Sequence, residues 1–210
     1  MKSATRTPGV LALAGLALAL TAVLSACVPL VVVGAVAGGT LVATDRRTSA
    51  AQLEDETIEL RGVNRLSGAL GGRGHFNLIS YNRQVLITGE VPTAQEKQLA
   101  QSTIERVENV RGVINELAVM PNSSLTQRSS DSLVTGRVKA SMIDARDIFA
   151  NAFKVVTERG NVYLMGRVTQ REANRATEMV RSVPGVERVV RVLEIISEEE
   201  LQRLGGAASK

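Results

Sequence analysis

Leu133, Gly136, Ala140 and Ile143 follow one another at spacings of 3, 4 and 3, with Arg137 and Lys139 between them. On a helix turning about 100° per residue, the four apolar or small residues form one stripe and the two cations fall near its borders. Such a face suits an interfacial helix, whose apolar groups enter the edge of a hydrocarbon layer while long cationic side chains lay their stems on it and meet phosphates. Val134, Val138, Met142 and Ala145 make a second stripe on the opposite side of the same helix, and this one is expected to close a core. The remaining reactive group is Cys27, the only cysteine, which ends the run Leu24-Ser25-Ala26-Cys27. With a single cysteine an intramolecular disulfide is excluded, so stability has to come from packing.

Catalytic constellations find few parts. The one histidine, His75, follows a Gly-rich stretch with Gly71, Gly72 and Gly74 and reads as a solvated loop residue. No Cys/His or Ser/His arrangement presents itself, and one imidazole is a poor start for a metal site, so no enzyme activity, cofactor or metal is expected. The Gly-Gly-Arg-Gly run lacks the Gly-Lys-Ser/Thr of a phosphate loop, and Glu54-Asp55-Glu56 reads as the charge-favoured first turn of a helix. Aromatic residues make up 2% of the chain, too few for nucleic-acid stacking platforms.

The elements that carry these residues begin with an export signal. Lys2 and Arg6 form a positive n-region and Val10 to Val23 an uncharged apolar h-region, and Leu24-Ser25-Ala26-Cys27 then resembles the bacterial lipobox. That resemblance implies transfer of diacylglycerol to the Cys27 sulfur, cleavage after Ala26 and acylation of the new amino terminus. Val28, by resemblance to enteric lipoproteins, implies passage of the anchor to the outer membrane, facing the periplasm. Residues 1–26 are the expected signal peptide, and residues 27–44 a lipid-anchored tether. The uncharged segment 28–44 has 17 residues interrupted by Pro29, Gly34, Gly38 and Gly39, short of the roughly 20 that a spanning helix needs.

Beyond residue 44 the chain repeats. Val85-Leu86-Ile87-Thr88-Gly89-Glu90-Val91 matches Val162-Tyr163-Leu164-Met165-Gly166-Arg167-Val168 at an offset of 77, and Val110-Arg111-Gly112-Val113 matches Val183-Pro184-Gly185-Val186 at an offset of 73. The difference of four residues predicts one more helical turn in the second helix of the first copy. Each copy reads as α-β-β-α-β. In the first, a helix at about 52–70 with Leu60, Val63, Leu66 and Leu70 on its apolar side precedes strands at 77–81 and 85–91, a helix at 93–108 and a strand at 114–120. In the second, a helix at about 130–145 precedes strands at 153–157 and 162–168, a helix at 170–182 and a strand at 187–196. The expected fold is therefore α+β: two tandem domains, 45–120 and 129–196, each a three-stranded sheet with two helices on one face, joined by a linker at 121–128 and followed by a helical extension at 197–210.

The pattern Val-x-Leu-x-Gly-x-Val, a helix, then Gly-Val and a hydrophobic strand resembles the BON domain. Two copies behind a lipobox are similar to the dual-BON outer-membrane lipoproteins of Gram-negative bacteria. The resemblance covers about residues 45–196 and extends to stretches such as Asn161-Val162-Tyr163-Leu164-Met165-Gly166 and Val168-Thr169-Gln170-Arg171-Glu172-Ala173. It implies a non-enzymatic envelope protein that supports outer-membrane integrity and whose second domain binds anionic phospholipid.

Charge gives an independent reading. Residues 45–120 hold 9 basic and 10 acidic side chains, whereas 128–196 hold 12 and 8. Like folds of unlike charge suggest unlike work, and a basic unit tethered to a membrane meets acidic headgroups first. The expected lipid contacts are Leu133, Gly136, Arg137, Lys139, Ala140 and Ile143. The rival expectation is a protein-interaction adaptor, in which the spare stripe meets the first domain or a periplasmic partner such as an envelope-remodelling enzyme.

Overall fold

The computed structural model describes residues 45–145 and 147–207; the signal, Cys27 and the tether lie outside them. Two units of the same plan follow each other. The first comprises α1 (Ser49–Leu70), β1 (His75–Tyr81), β2 (Gln84–Val91), α2 (Ala94–Glu105) and β3 (Gly112–Val119). The second comprises α3 (Leu125–Asp144), a 3-10 turn (Ala150–Ala152), β4 (Phe153–Glu158), β5 (Asn161–Thr169), α4 (Gln170–Arg181) and β6 (Arg188–Ile196), after which α5 (Glu198–Ala207) follows. In each sheet the middle strand pairs antiparallel with the one before it and parallel with the one after it, in the orders β1-β2-β3 and β4-β5-β6.

Local chemistry sets these elements. Both hairpins turn through two residues with positive φ, Asn82 (50°) with Arg83 (67°) and Arg159 (49°) with Gly160 (69°), as the right-handed twist of two-residue hairpins requires. Each turn is held from outside by an aspartate of the preceding helix. Asp55 accepts the N–H groups of Asn82 and Arg83, both at 2.7 Å, and Asp131 accepts those of Arg159 (2.8 Å) and Gly160 (2.9 Å). Asp55 is thus a buried strut in the second turn of α1, not a first-turn charge, because the N-cap, Thr48, lies seven residues earlier. Both second helices start with a capping box, Thr93 with Glu96 and Thr169 with Glu172, which satisfies orphan N–H groups reciprocally.

Three expectations change. Of the expected apolar side of α1, Leu66 and Leu70 are buried, with Ile58 and Gly62 completing the face, while Leu60 and Val63 point outward. The second helices are equally long, 12 residues each, so the extra turn is absent. The true counterpart of Gly185 (φ 94°) is Asn109 (φ 68°), since both turn the chain into the last strand with the same N–H contacts back to the hairpins, Arg111 to Arg83 O and Glu187 to Gly160 O. Asparagine tolerates the left-handed region, so the turn position in the first copy carries no glycine and Gly112 lies three residues beyond it. Finally, α3 starts at Leu125 behind the Ser124 N-cap, so Ser129, Ser130 and Asp131 lie within the helix.

Each sheet buries one face beneath its helices. Ile58, Leu66, Leu78, Val85, Ile87 and Ile104 belong to the first core, and Val134, Val138, Met142, Val155, Leu164 and Val180 to the second. The opposite faces meet each other. Tyr81 and Leu86 pack with Tyr163, Met165 and Val192 in a third apolar cluster, so the two domains are joined sheet to sheet.

Candidate functional site

Helix α3 serves two surfaces. Asp131, Val134, Val138 and Met142 are buried, and opposite them Leu133, Gly136, Ala140 and Ile143 are exposed together with Arg137 and Lys139. Leu133 keeps 63% and Ile143 71% of its surface open, figures high enough to show that the first domain does not cover the stripe. Around Gly136 nothing lies within 4 Å of where a Cβ would stand, so the face is flat there. Arg137 leans across the turn before β6, donating from Nη1 to the Pro184 carbonyl at 3.4 Å. Neither Arg137 nor Lys139 forms an ion pair among the described residues, which leaves both charges available.

Sequence reasoning missed Leu125. It lies 18 residues, about five full turns, before Ile143 and hence on the same side of the helix, and it is 79% exposed. The signal is Ser124, an N-cap within a stretch that otherwise reads as linker. Leu125 adds an exposed apolar side chain at the start of α3, about 27 Å along the axis from Ile143, with Ser129 and Ser132 on the same side between it and Leu133.

The corresponding face of the first domain is different. Leu53, Leu60 and Val63 are exposed on α1, but Glu56 is interspersed among them. Aligned on the hairpin-holding aspartates Asp55 and Asp131, Val63 takes the place of Lys139, and Arg61, the counterpart of Arg137, is already paired with Glu108 at 3.0 Å. Only the second domain offers an apolar helix face flanked by unpaired cations.

The domain junction holds further polar groups. Arg159 in the second hairpin donates to the Gly89 carbonyl at 3.0 Å and pairs with the fully buried Glu90. Burial works to raise the Glu90 carboxyl, but hydrogen bonds from Ser123 and Arg159 outweigh it and hold it below the usual carboxylate range. Glu158 goes the other way: burial first, and the charge of Glu90 second, push its carboxyl up. His75 is not a loop residue; it opens β1 opposite Glu90.

The model of the BON domain matches residues 55–121 and again 130–197. The chain belongs to the BON-domain family. Among its relatives, the outer membrane lipoprotein DolP of Haemophilus influenzae is 38% identical over 178 residues, covering 84% of this chain and 92% of that protein. A 21 kDa hemolysin of Actinobacillus pleuropneumoniae is 30% identical over 154 residues, 72% of this chain and 79% of the relative. A solved structure of CdsD, a structural protein of the type III secretion system of Chlamydia trachomatis, aligns over 68% of this chain and 96% of its own at 12% identity, but its TM-score of 0.30 carries no argument. With two BON domains established, α3 is the first helix of the second one.

Proposed function

We propose that this protein is a non-enzymatic lipoprotein of the outer membrane, held on the periplasmic face by acylated Cys27, and that its second BON domain binds anionic phospholipid through the outer face of α3. In this role it supports envelope integrity. The observation that carries the reading is the exposed row Leu125, Leu133 and Ile143 bordered by the unpaired Arg137 and Lys139. An apolar row of this kind enters the interfacial layer, and each cation near an anionic surface adds about 1 kcal/mol. The likeness to DolP supports the anchoring and the location.

Vesicle binding by the 45–210 fragment is the test. Leu133→Glu should weaken binding to phosphatidylglycerol vesicles at least tenfold and leave thermal unfolding nearly unchanged. Val138→Glu, which puts an unpaired carboxylate into the core, should instead destabilise the second domain. Leu133→Glu with unaltered vesicle affinity overturns the lipid reading and favours a protein adaptor. For the anchor, intact mass of the mature wild-type protein should show cleavage after Ala26 and added acyl mass, and Cys27→Ser should abolish both.

A further inference from the structure

One polar cluster lies apart from the α3 face. His75 in β1, Glu90 in β2 and Glu158 at the end of β4 each place one ligand atom within 4.8 Å of the other two. Both carboxylates are buried, Glu90 at 0% and Glu158 at 2% exposure. The Nδ1 atom of His75 is buried without a hydrogen bond; Glu90 Oε2 stands 3.4 Å away, outside hydrogen-bonding geometry. An imidazole nitrogen left without a partner beside two buried carboxylates is costly unless something occupies the space between them.

We propose that His75, Glu90 and Glu158 form a binding site for a divalent transition-metal ion, zinc above all, at the junction of the two BON domains. Imidazole nitrogen and carboxylate oxygen are both donor types that zinc accepts, and the imidazole favours a transition metal over magnesium or calcium. Three protein ligands leave a fourth position open. A cavity of about 440 Å³ lined by His75, Asn77, Thr135, Val155 and Glu158 adjoins it and gives water and the ion a way in.

The surroundings hold both carboxylates in place. Arg159 holds Glu90 Oε1, while the N–H and hydroxyl of Ser123 each reach Glu90 Oε2 at 3.1 Å. Asn77 donates to Glu158 Oε2 at 3.1 Å and Thr88 lies 3.5 Å from the same oxygen, which leaves Glu158 Oε1 for the ion. Such outer partners fix the ligands and raise metal affinity. Because the ligands come from both domains, the ion fastens one sheet to the other without touching the α3 face.

The full-length chain, without a histidine tag and carrying Cys27→Ser so that no thiol competes, is purified in detergent, stripped with a chelator and titrated with zinc chloride in a calorimeter. One equivalent should bind and raise the thermal midpoint. His75→Ala and Glu158→Gln should each lower the affinity at least tenfold and abolish the thermal shift. Cobalt(II) added to the stripped protein should develop visible absorption of a four-coordinate site, and His75→Ala should lose it. The proposal is overturned if the wild type takes up no zinc equivalent, or if both variants bind zinc as the wild type does.

Discussion

Asp55 and Asp131 show how much a single carboxylate does in this fold. Each reaches from a helix to two N–H groups of a hairpin turn that faces no other acceptor, and each is almost fully buried. Asp131→Ala should therefore cost about 2 kcal/mol of stability, the penalty for leaving buried donors unpaired, measurable in urea unfolding of the 45–210 fragment. Glu158 behaves oppositely. Its folded carboxyl titrates above the unfolded one, so its charged form opposes folding, and the wild type loses stability as pH rises from the ordinary carboxylate range through the raised value. In chelator, Glu158→Gln should melt higher than the wild type at neutral pH, and the two should converge below about pH 4, where both side chains are neutral in folded and unfolded chains alike. A wild type that stays the more stable at neutral pH would contradict the assignment. None of this was legible from residue type. Glu54-Asp55-Glu56 looks like a helix start until the Thr48 N-cap moves the start back, and His75 looks solvated until β2 places Glu90 beside it.

Helices and strands were far more legible, because their signals are periodic or local. Apolar runs bounded by turn residues mark all six strands, and the glycine of the Val-x-Leu-x-Gly-x-Val motif has a steric reason: a Cβ at Gly89 would meet the His75 carbonyl oxygen at 2.1 Å, and one at Gly166 the Ala152 carbonyl oxygen at 2.3 Å. What failed were boundaries and the glycine-keyed alignment, where Asn109 does the work of Gly185. The helix that matters most, α3, was placed on the correct faces but started too late. Its added first turn makes a prediction. Leu125→Glu should weaken vesicle binding about fivefold, the equivalent of about 1 kcal/mol from partial burial of one leucine, with no change in melting. An affinity equal to the wild type would confine the interfacial face to the later turns.

At the scale of the molecule, the unexpected feature is the packing of one sheet on the other. Its signal was in the middle strands. Val85-Leu86-Ile87 and Val162-Tyr163-Leu164-Met165 are apolar without alternation, which is how strands covered on both faces read. The α-β-β-α-β order places helices on one face of each sheet and says nothing of what covers the other. Since Leu86 and Met165 share the inter-sheet cluster, Leu86→Ala and Met165→Ala should each cost about 2–5 kcal/mol, and the double variant should depart from additivity by at least about 0.5 kcal/mol. Strict additivity would mean that the sheets do not hold each other in solution. The same packing leaves the outer face of the second domain's α3 uncovered, and the most direct measurement of its role uses environment-sensitive labels. The 45–210 fragment contains no cysteine, so single cysteines introduced at Leu133, Ile143 and Leu53 can each carry a fluorophore. With phosphatidylglycerol vesicles, emission from positions 133 and 143 should shift to the blue and be quenched by lipid-borne quenchers, while position 53 in the first domain stays unchanged. Equal shifts at all three positions, or none at 133 and 143, would contradict the account.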